Sequence, residues 1–398
     1  MRIAVICGFD CGNGTGWWGK PPPNVLELED GPTVGGGEEA AIRAAVGLRE
    51  LGHSVDCWWY GRDGEWRGVP FHSLQADLYY ALCSQPWDAV VSFSSLRPLE
   101  WAPKGAVRIY AQQLNDLLQR GAWDRVDCIV SPSESHAQQL PTWGWRGRPY
   151  AVVHNGLDAE LYGKWTNDDY TRGYKKNDTV PPPWKERPLN VGYWSSPDRG
   201  LHHLLRAWPK VVKKVPEARL HVFYEIDRYL PMAVQAPGLF GDRGRHLNCI
   251  IPEAKADPSI IFHGAVSRAR LRKTQFITRV HCYPLMPIYY TEGFGTSLAC
   301  GIAAGCHVMT TPRDAFPSLY GGAVTWLPPN PTELDAVLPD FIVRGLTDEE
   351  WSLEQVCKAE PHRFNYTWER AAKEMEAACM KKNWQLTTRE ESAEEFVR

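Results

Sequence analysis

Glu292-Gly-Phe-Gly-Thr-Ser-Leu-Ala-Cys300 places a carboxylate ahead of a glycine turn and a run of small residues that reads as a helix. Gly293 and Gly295 let the backbone come close to a ligand, and a helix N-terminus offers N–H groups and a positive dipole to an anion. A carboxylate at the lip repels phosphate but accepts hydrogen bonds from sugar hydroxyls. A phosphate cradle with Glu292 beside it therefore fits a sugar nucleotide. The plainer use of the same residues is a buried, glycine-rich helix start in an α/β domain.

Other segments carry matching chemistry. Gly35-Gly36-Gly37-Glu38-Glu39 opens a helix with glycines, which admits a ligand closely and favours phosphate. Tyr193-Trp194-Ser195-Ser196-Pro197-Asp198-Arg199-Gly200 runs from a strand into a helix. Arg199 suits two-pronged pairing with a diphosphate, and Ser195 and Ser196 add hydroxyl donors. Capping of the following helix by Ser196 or Asp198 is the alternative use. Arg268, Arg270, Arg272 and Lys273 form a basic run, which is either a second source of positive charge or a solvated face. His154-Asn155-Gly156-Leu157-Asp158 has the residue types of a left-handed turn. The long loop Cys11–Pro23 carries Trp17 and Trp18, rings that stack on sugars or bases.

These groups need a scaffold, and strand–helix alternation supplies one. Apolar runs at Arg2–Cys7, Ser54–Tyr60, Ala89–Phe93, Val107–Ala111, Cys128–Pro132 and Tyr150–His154 predict strands, and Glu38–Leu51 predicts a helix closed by Gly52. A polar, proline-closed segment spanning 166–187 reads as a linker. Alternation restarts with strand Leu189–Tyr193, helix Leu201–Lys214, strands Arg219–Tyr224 and Ile260–His263, helix Ser267–Phe276, and strands Arg279–Tyr283, His307–Thr311 and Ala323–Leu327. A last helix, Trp368–Lys382, precedes a charged tail. The fold class is α/β, with two doubly wound, Rossmann-like domains (1–165 and 188–365) facing a cleft at the carboxyl ends of their strands, where such sheets take ligands.

Composition narrows the partners. The 398 residues suit two domains, and a net charge of -3 gives no global attraction to nucleic acid or acidic membranes. No run of about 18 apolar residues implies membrane insertion. The 11 cysteines form no CxxC pairs, which fits reduced thiols in the cytoplasm, with Cys7, Cys57 and Cys128 in apolar strands. No Asp-x-Asp falls in a site loop and the histidines lack ligand spacing, so no metal or cofactor is expected.

The order of motifs resembles the family 4 glycosyltransferases, retaining enzymes of the GT-B fold. The matching stretches are Gly35-Gly-Gly-Glu38, Asp127-Cys-Ile-Val-Ser-Pro-Ser-Glu134, Val153-His-Asn-Gly-Leu-Asp158, Ser196-Pro-Asp-Arg-Gly200, Glu292-Gly-Phe-Gly295 and Tyr366-Thr-Trp-Glu-Arg-Ala-Ala372. The resemblance spans nearly the whole chain. It implies an acceptor-side first domain, a nucleotide-sugar-binding second domain, and a helix in 366–398 that crosses back to the first. It further implies that Gly36 and Gly37 approach the donor, that Arg199 binds the diphosphate, that Glu292 lies near the donor sugar, and that Gly295 and Thr296 offer N–H groups to the distal phosphate.

Three positions depart from the family. Cys300 stands where a second glutamate usually holds the ribose, Trp194 stands near an expected arginine, and neither Val90–Ser95 nor Tyr110–Asp116 holds the N-domain histidine. Arg268 is then a candidate second cation, and Gln112 and Gln113 are polar candidates on the acceptor side. The expected activity is metal-independent transfer of a hexose or pentose from a nucleoside diphosphate sugar to an acceptor hydroxyl, with no side-chain nucleophile. Acceptors would meet the loops Cys11–Pro23 and Gly61–Gln75. They are a glycan, a small molecule or a hydroxylated base of DNA. A non-catalytic sugar-nucleotide binder and an epimerase of related fold are the alternatives.

Overall fold

The computed structural model describes residues 1–8, 36–74, 78–93, 95–113, 123–163, 181–235, 243–286 and 290–388. Trp17, Trp18, Gly35, most of the linker and the tail 389–398 lie outside them. The chain divides into two compact units: Met1–Gly156 with Tyr290–Phe294 and Tyr366–Arg398, and Leu157–Tyr289 with Gly295–Asn365. The first crossing thus falls at Gly156, ahead of the boundary at 165 read from the sequence.

In the first unit, β1 (Arg2–Cys7), β2 (Ser54–Trp59), β4 (Val69–Ser73), β5 (Ala89–Phe93), β6 (Val107–Ala111), β7 (Cys128–Ser131) and β8 (Pro149–Val152) pair in parallel. Two antiparallel strands, β3 (Gly64–Trp66) against β4 and β15 (Gln385–Leu386) against β8, close the edges. The sheet order is β15-β8-β7-β6-β5-β1-β2-β4-β3. Parallel strands buried on both faces must be apolar at successive positions, and Ile3, Ala4, Val5 and Ile6 are wholly buried. Their side chains alternate. Ile3 and Val5 join the core under helix Gly36–Glu50 and the C-terminal helix Trp368–Cys379, while Ala4 and Ile6 join Leu78, Leu82 and Leu99 on the other face. The two helices on the first face come together at Gly47, where a Cβ would lie 2.4 Å from Ala372 Cβ.

The segment Gly61–Gln75, expected as an acceptor loop, is instead mostly the β3–β4 hairpin. Its turn residues Arg67 and Gly68 both have positive φ, 50° and 75°, the twist a two-residue hairpin turn requires.

The second unit is a wholly parallel sheet, β11 (Ile260–Gly264), β10 (Arg219–Phe223), β9 (Asn190–Tyr193), β12 (Val280–Tyr283), β13 (His307–Thr310) and β14 (Thr325–Trp326), in that spatial order. The chain runs outward from β9 to β10 and β11, then returns to lay β12 on the other side of β9. The strand order therefore reverses between β9 and β12. Open α/β sheets take ligands at such a reversal, beyond the carboxyl ends of the strands. Helices Ile226–Gln235, Arg243–Ala256, Pro331–Thr347 and Glu349–Ala359, none of them read from the sequence, complete the layers.

Candidate functional site

In the second unit the sequence candidates meet at that reversal. β9 ends at Tyr193 and passes through Ser195, Ser196 and Arg199 into helix Leu201–Lys214. The helix starts from Gly200 in a left-handed conformation (φ 104°) with no side-chain cap, so neither Ser196 nor Asp198 caps it. Ser196 Oγ donates instead to Asp198 Oδ1, and Asp198 Oδ2 lies 3.4 Å from Arg199 Nε. Arg199 Nε is buried beside this carboxylate, while the side chain as a whole keeps 23% of its surface exposed, so the protein orients the guanidinium. Gly200 allows this turn to touch the chain leaving β12, since a Cβ there would lie 2.0 Å from Pro284 O. The two strand ends are tied by Ser195 Oγ, which donates to Tyr283 Oη at 2.9 Å.

Helix Thr296–Ala303 begins beside them. Gly295 is its left-handed N-cap (φ 78°, ψ 57°), again with no side-chain cap, which leaves the first turn open to an anion. A Cβ at Gly295 would meet Phe316 Cε1 at 2.4 Å, and the Phe316 ring lies 5.6 Å from that of Tyr283 at the end of β12. Cys300 is a half-buried cysteine one helical turn on from Thr296. The far end of the helix is held by arginines. The buried Arg187 donates to Ala304 O and Gly305 O, and Arg363 donates to Ala303 O at 3.0 Å. Cations at a helix C-terminus complement its dipole.

Arg268 belongs to a different strand–helix crossover. It opens helix Arg268–Phe276, capped by Ser267, beyond β11, with β10 between that strand and β9.

In the first unit, Glu292, Gly293 and Phe294 form a short segment held by three elements. Ser133 Oγ donates to Gly293 O at 2.6 Å and accepts the His136 N–H at 3.1 Å. A Cβ at Gly293 would lie 2.8 Å from His136 Cδ2, so close packing on the buried His136 is what this position needs glycine for. Phe294 stands edge-on to Tyr366, ring centres 5.2 Å apart, and Tyr366 packs against His154 at 5.1 Å. Glu292 is half-buried.

The His154 segment is structural. The His154 N–H and ring both engage Glu374, at 2.8 and 3.0 Å. Burial works to raise the Glu374 carboxyl, but hydrogen bonds from His154 and Arg370 outweigh it and hold it below the usual range. Gly156 does not adopt the expected left-handed turn. It is glycine because Thr367 and Trp368 pack on it, 2.5 Å from where a Cβ would be. Gln113 accepts from Asn155 Nδ2 at 2.9 Å, and Gln112 is buried after β6. Gly36 and Gly37 are the first residues of helix Gly36–Glu50 rather than part of a loop, and Gly36 faces open space. Burial raises the carboxyl of Glu38 in the same turn.

Solved structures share this arrangement of sheets. HepE (Alr3699) of Anabaena, determined with UDP and glucose, is similar over 96% of this chain and 100% of its own, at 14% identity and a TM-score of 0.64. The fold is GT-B. Sucrose-phosphate synthase of Thermosynechococcus elongatus is similar over 96% of this chain and 98% of its own (14% identity, TM-score 0.58). AviGT4, a glycosyltransferase of avilamycin A biosynthesis, covers 96% and 99% (13% identity, TM-score 0.59). No protein-family model matches the sequence, and no curated protein does. These GT-B neighbours are glycosyltransferases. Among the described residues, no helix is long and apolar enough to cross a membrane.

Proposed function

We propose that the chain is a glycosyltransferase of the family 4 type, which takes a sugar from a nucleoside diphosphate donor, with retention, and gives it to the hydroxyl of a glycan or small molecule in the cytoplasm. The observation that carries this reading is the meeting of the Arg199 turn and the uncapped Thr296 helix at the strand-order reversal of the second unit. An oriented cation and a free helix N-terminus together suit the two phosphates of a diphosphate. As the donor bond breaks, charge grows on the leaving diphosphate, and both groups stabilise it without a metal. Glu292 is assigned to the sugar hydroxyls by its carboxylate chemistry, and Cys300 to the neighbourhood of the nucleotide. Neither acts as a nucleophile in this scheme. HepE has been solved with UDP and with UDP-glucose, which makes UDP the first nucleotide to test.

The test is calorimetry with UDP, GDP, ADP and TDP in the absence of metal, followed by release of sugar from the matching donor. One nucleotide should bind, and Arg199→Ala should weaken it by about 10- to 150-fold, the worth of a charge-assisted hydrogen bond. If the wild-type chain binds none of the four, the reading is wrong.

A further inference from the structure

The turn bearing Ser195, Ser196 and Arg199 is gripped by the two residues before it, which leave the strand end on opposite sides. Tyr193 Oη donates to Ser196 O at 2.6 Å, and its ring stands edge-on to Tyr283 at 5.8 Å. Trp194 lies flat on His281, ring centres 3.9 Å apart and planes 8° apart. The indole Nε1–H then donates to Ser297 O, in the first turn of the Thr296 helix, at 2.9 Å.

The stack has no slack. His281 is wholly buried, and its Nδ1–H donates to Gly192 O at 3.0 Å, which fixes the ring plane. Burial lowers its pKa to about 3, so the ring beneath the indole stays neutral at working pH. A Cβ at Gly192 would lie 2.0 Å from Trp194 Cζ3, and one at Gly301 would lie 2.8 Å from His281 Cδ2. Both rings fit only because glycines flank them. The indole is therefore a strut of fixed length between the end of β9 and the start of the helix.

We infer that Trp194 is a positioning residue, one that sets the offset between the Arg199 turn and the Thr296 helix so that both reach one diphosphate. This rests on the nucleotide-sugar reading above. Trp194→Phe keeps a ring on His281 but gives up the tie to Ser297 O and part of the indole's packing, whereas Trp194→Leu gives up the stack as well. A single hydrogen bond sets the scale. Trp194→Phe should raise the Kd for UDP, or whichever of the four nucleotides the wild type binds, by about fivefold, with a smaller fall in melting temperature than Trp194→Leu. Trp194→Leu should raise it further.

Calorimetry on the full-length wild type and both variants, with melting temperatures measured beside it, decides the matter. A wild type that binds no nucleotide overturns the functional reading and this inference with it. A wild type that binds, with Trp194→Phe binding equally well, overturns the inference alone. So does a lowered melting temperature with Kd unchanged in both variants, which is what a purely structural tryptophan would give.

Discussion

Gly200→Ala tests whether the β9 turn truly presses on the exit of β12. Alanine there meets two penalties. The first is the backbone: φ is 104°, and left-handed conformations cost an L-residue about 1–2 kcal/mol. The stiffer unfolded chain of the variant returns about 0.4–1 kcal/mol of this. The second is overlap, since the new methyl would lie 2.0 Å from Pro284 O and 2.7 Å from Pro284 C. Those atoms are backbone at the end of a buried strand and cannot swing aside as a side-chain tip would. Such overpacking costs about 1–3 kcal/mol.

The sum is about 3 kcal/mol, or roughly 6–12 °C in the melting of a unit of this size. Gly264 supplies the control. Its φ is 69°, but nothing lies within 4 Å of its would-be Cβ, so Gly264→Ala should cost about 0.5–1 kcal/mol, the backbone part alone. Scanning calorimetry of the wild type and both variants measures the difference, read as a shift between matched traces because a two-unit chain need not be a two-state system. A Gly200→Ala protein that melts with the Gly264→Ala protein would refute the packing argument.

Two further outcomes follow from buried polar groups. Ser133→Ala removes both the bond to Gly293 O and the cap of the His136 turn, worth about 1–2 kcal/mol together; amide exchange within Tyr290–Phe294 should quicken about 5- to 30-fold, and unchanged protection there would contradict the assigned anchor. Burial lowers His281 and His307 each to about 3, whereas the unfolded chain titrates near 6.5. As pH falls below about 6.5 the unfolded state takes up protons that the folded state refuses, so stability drops by about 1.4 kcal/mol per pH unit for each ring until pH nears 3. His307→Gln should flatten the slope of urea-unfolding free energy between pH 6 and 4.5 by about one proton, and a slope equal to wild type would refute this.

Much of the scaffold could be read from the chain, because strands buried on both faces leave unbroken apolar runs such as Ile3–Ile6 and Val90–Val91. Helices Ile226–Gln235 and Arg243–Ala256 hid behind Pro231 and Pro252, which read as breakers but sit inside them. The β3–β4 hairpin hid because Arg67-Gly68 lacks the usual asparagine or aspartate of such a turn. At the candidate site, residue types were legible and their neighbours were not. Nothing near Gly295 announces Phe316, nothing near Trp194 announces His281, and Ser133 gives no sign of Gly293. Each pairing joins distant stretches of chain, and local pattern carries no information about them.

The first unit is begun first and finished last. β8 receives its antiparallel neighbour only from Gln385–Leu386, and the face of the sheet under helix Gly36–Glu50 waits for Ala371, Met375 and Ala378. The second unit has all its strands in hand by Trp326. On the ribosome, then, the growing chain carries an open strand edge and an uncovered apolar face while the whole of the second unit is being made. Exposed edges and apolar faces of this kind are what unfinished proteins aggregate through and what chaperones grip. A chain cut ahead of Trp368 would therefore lose a wall of the first unit, with both the helix face and the edge strand gone.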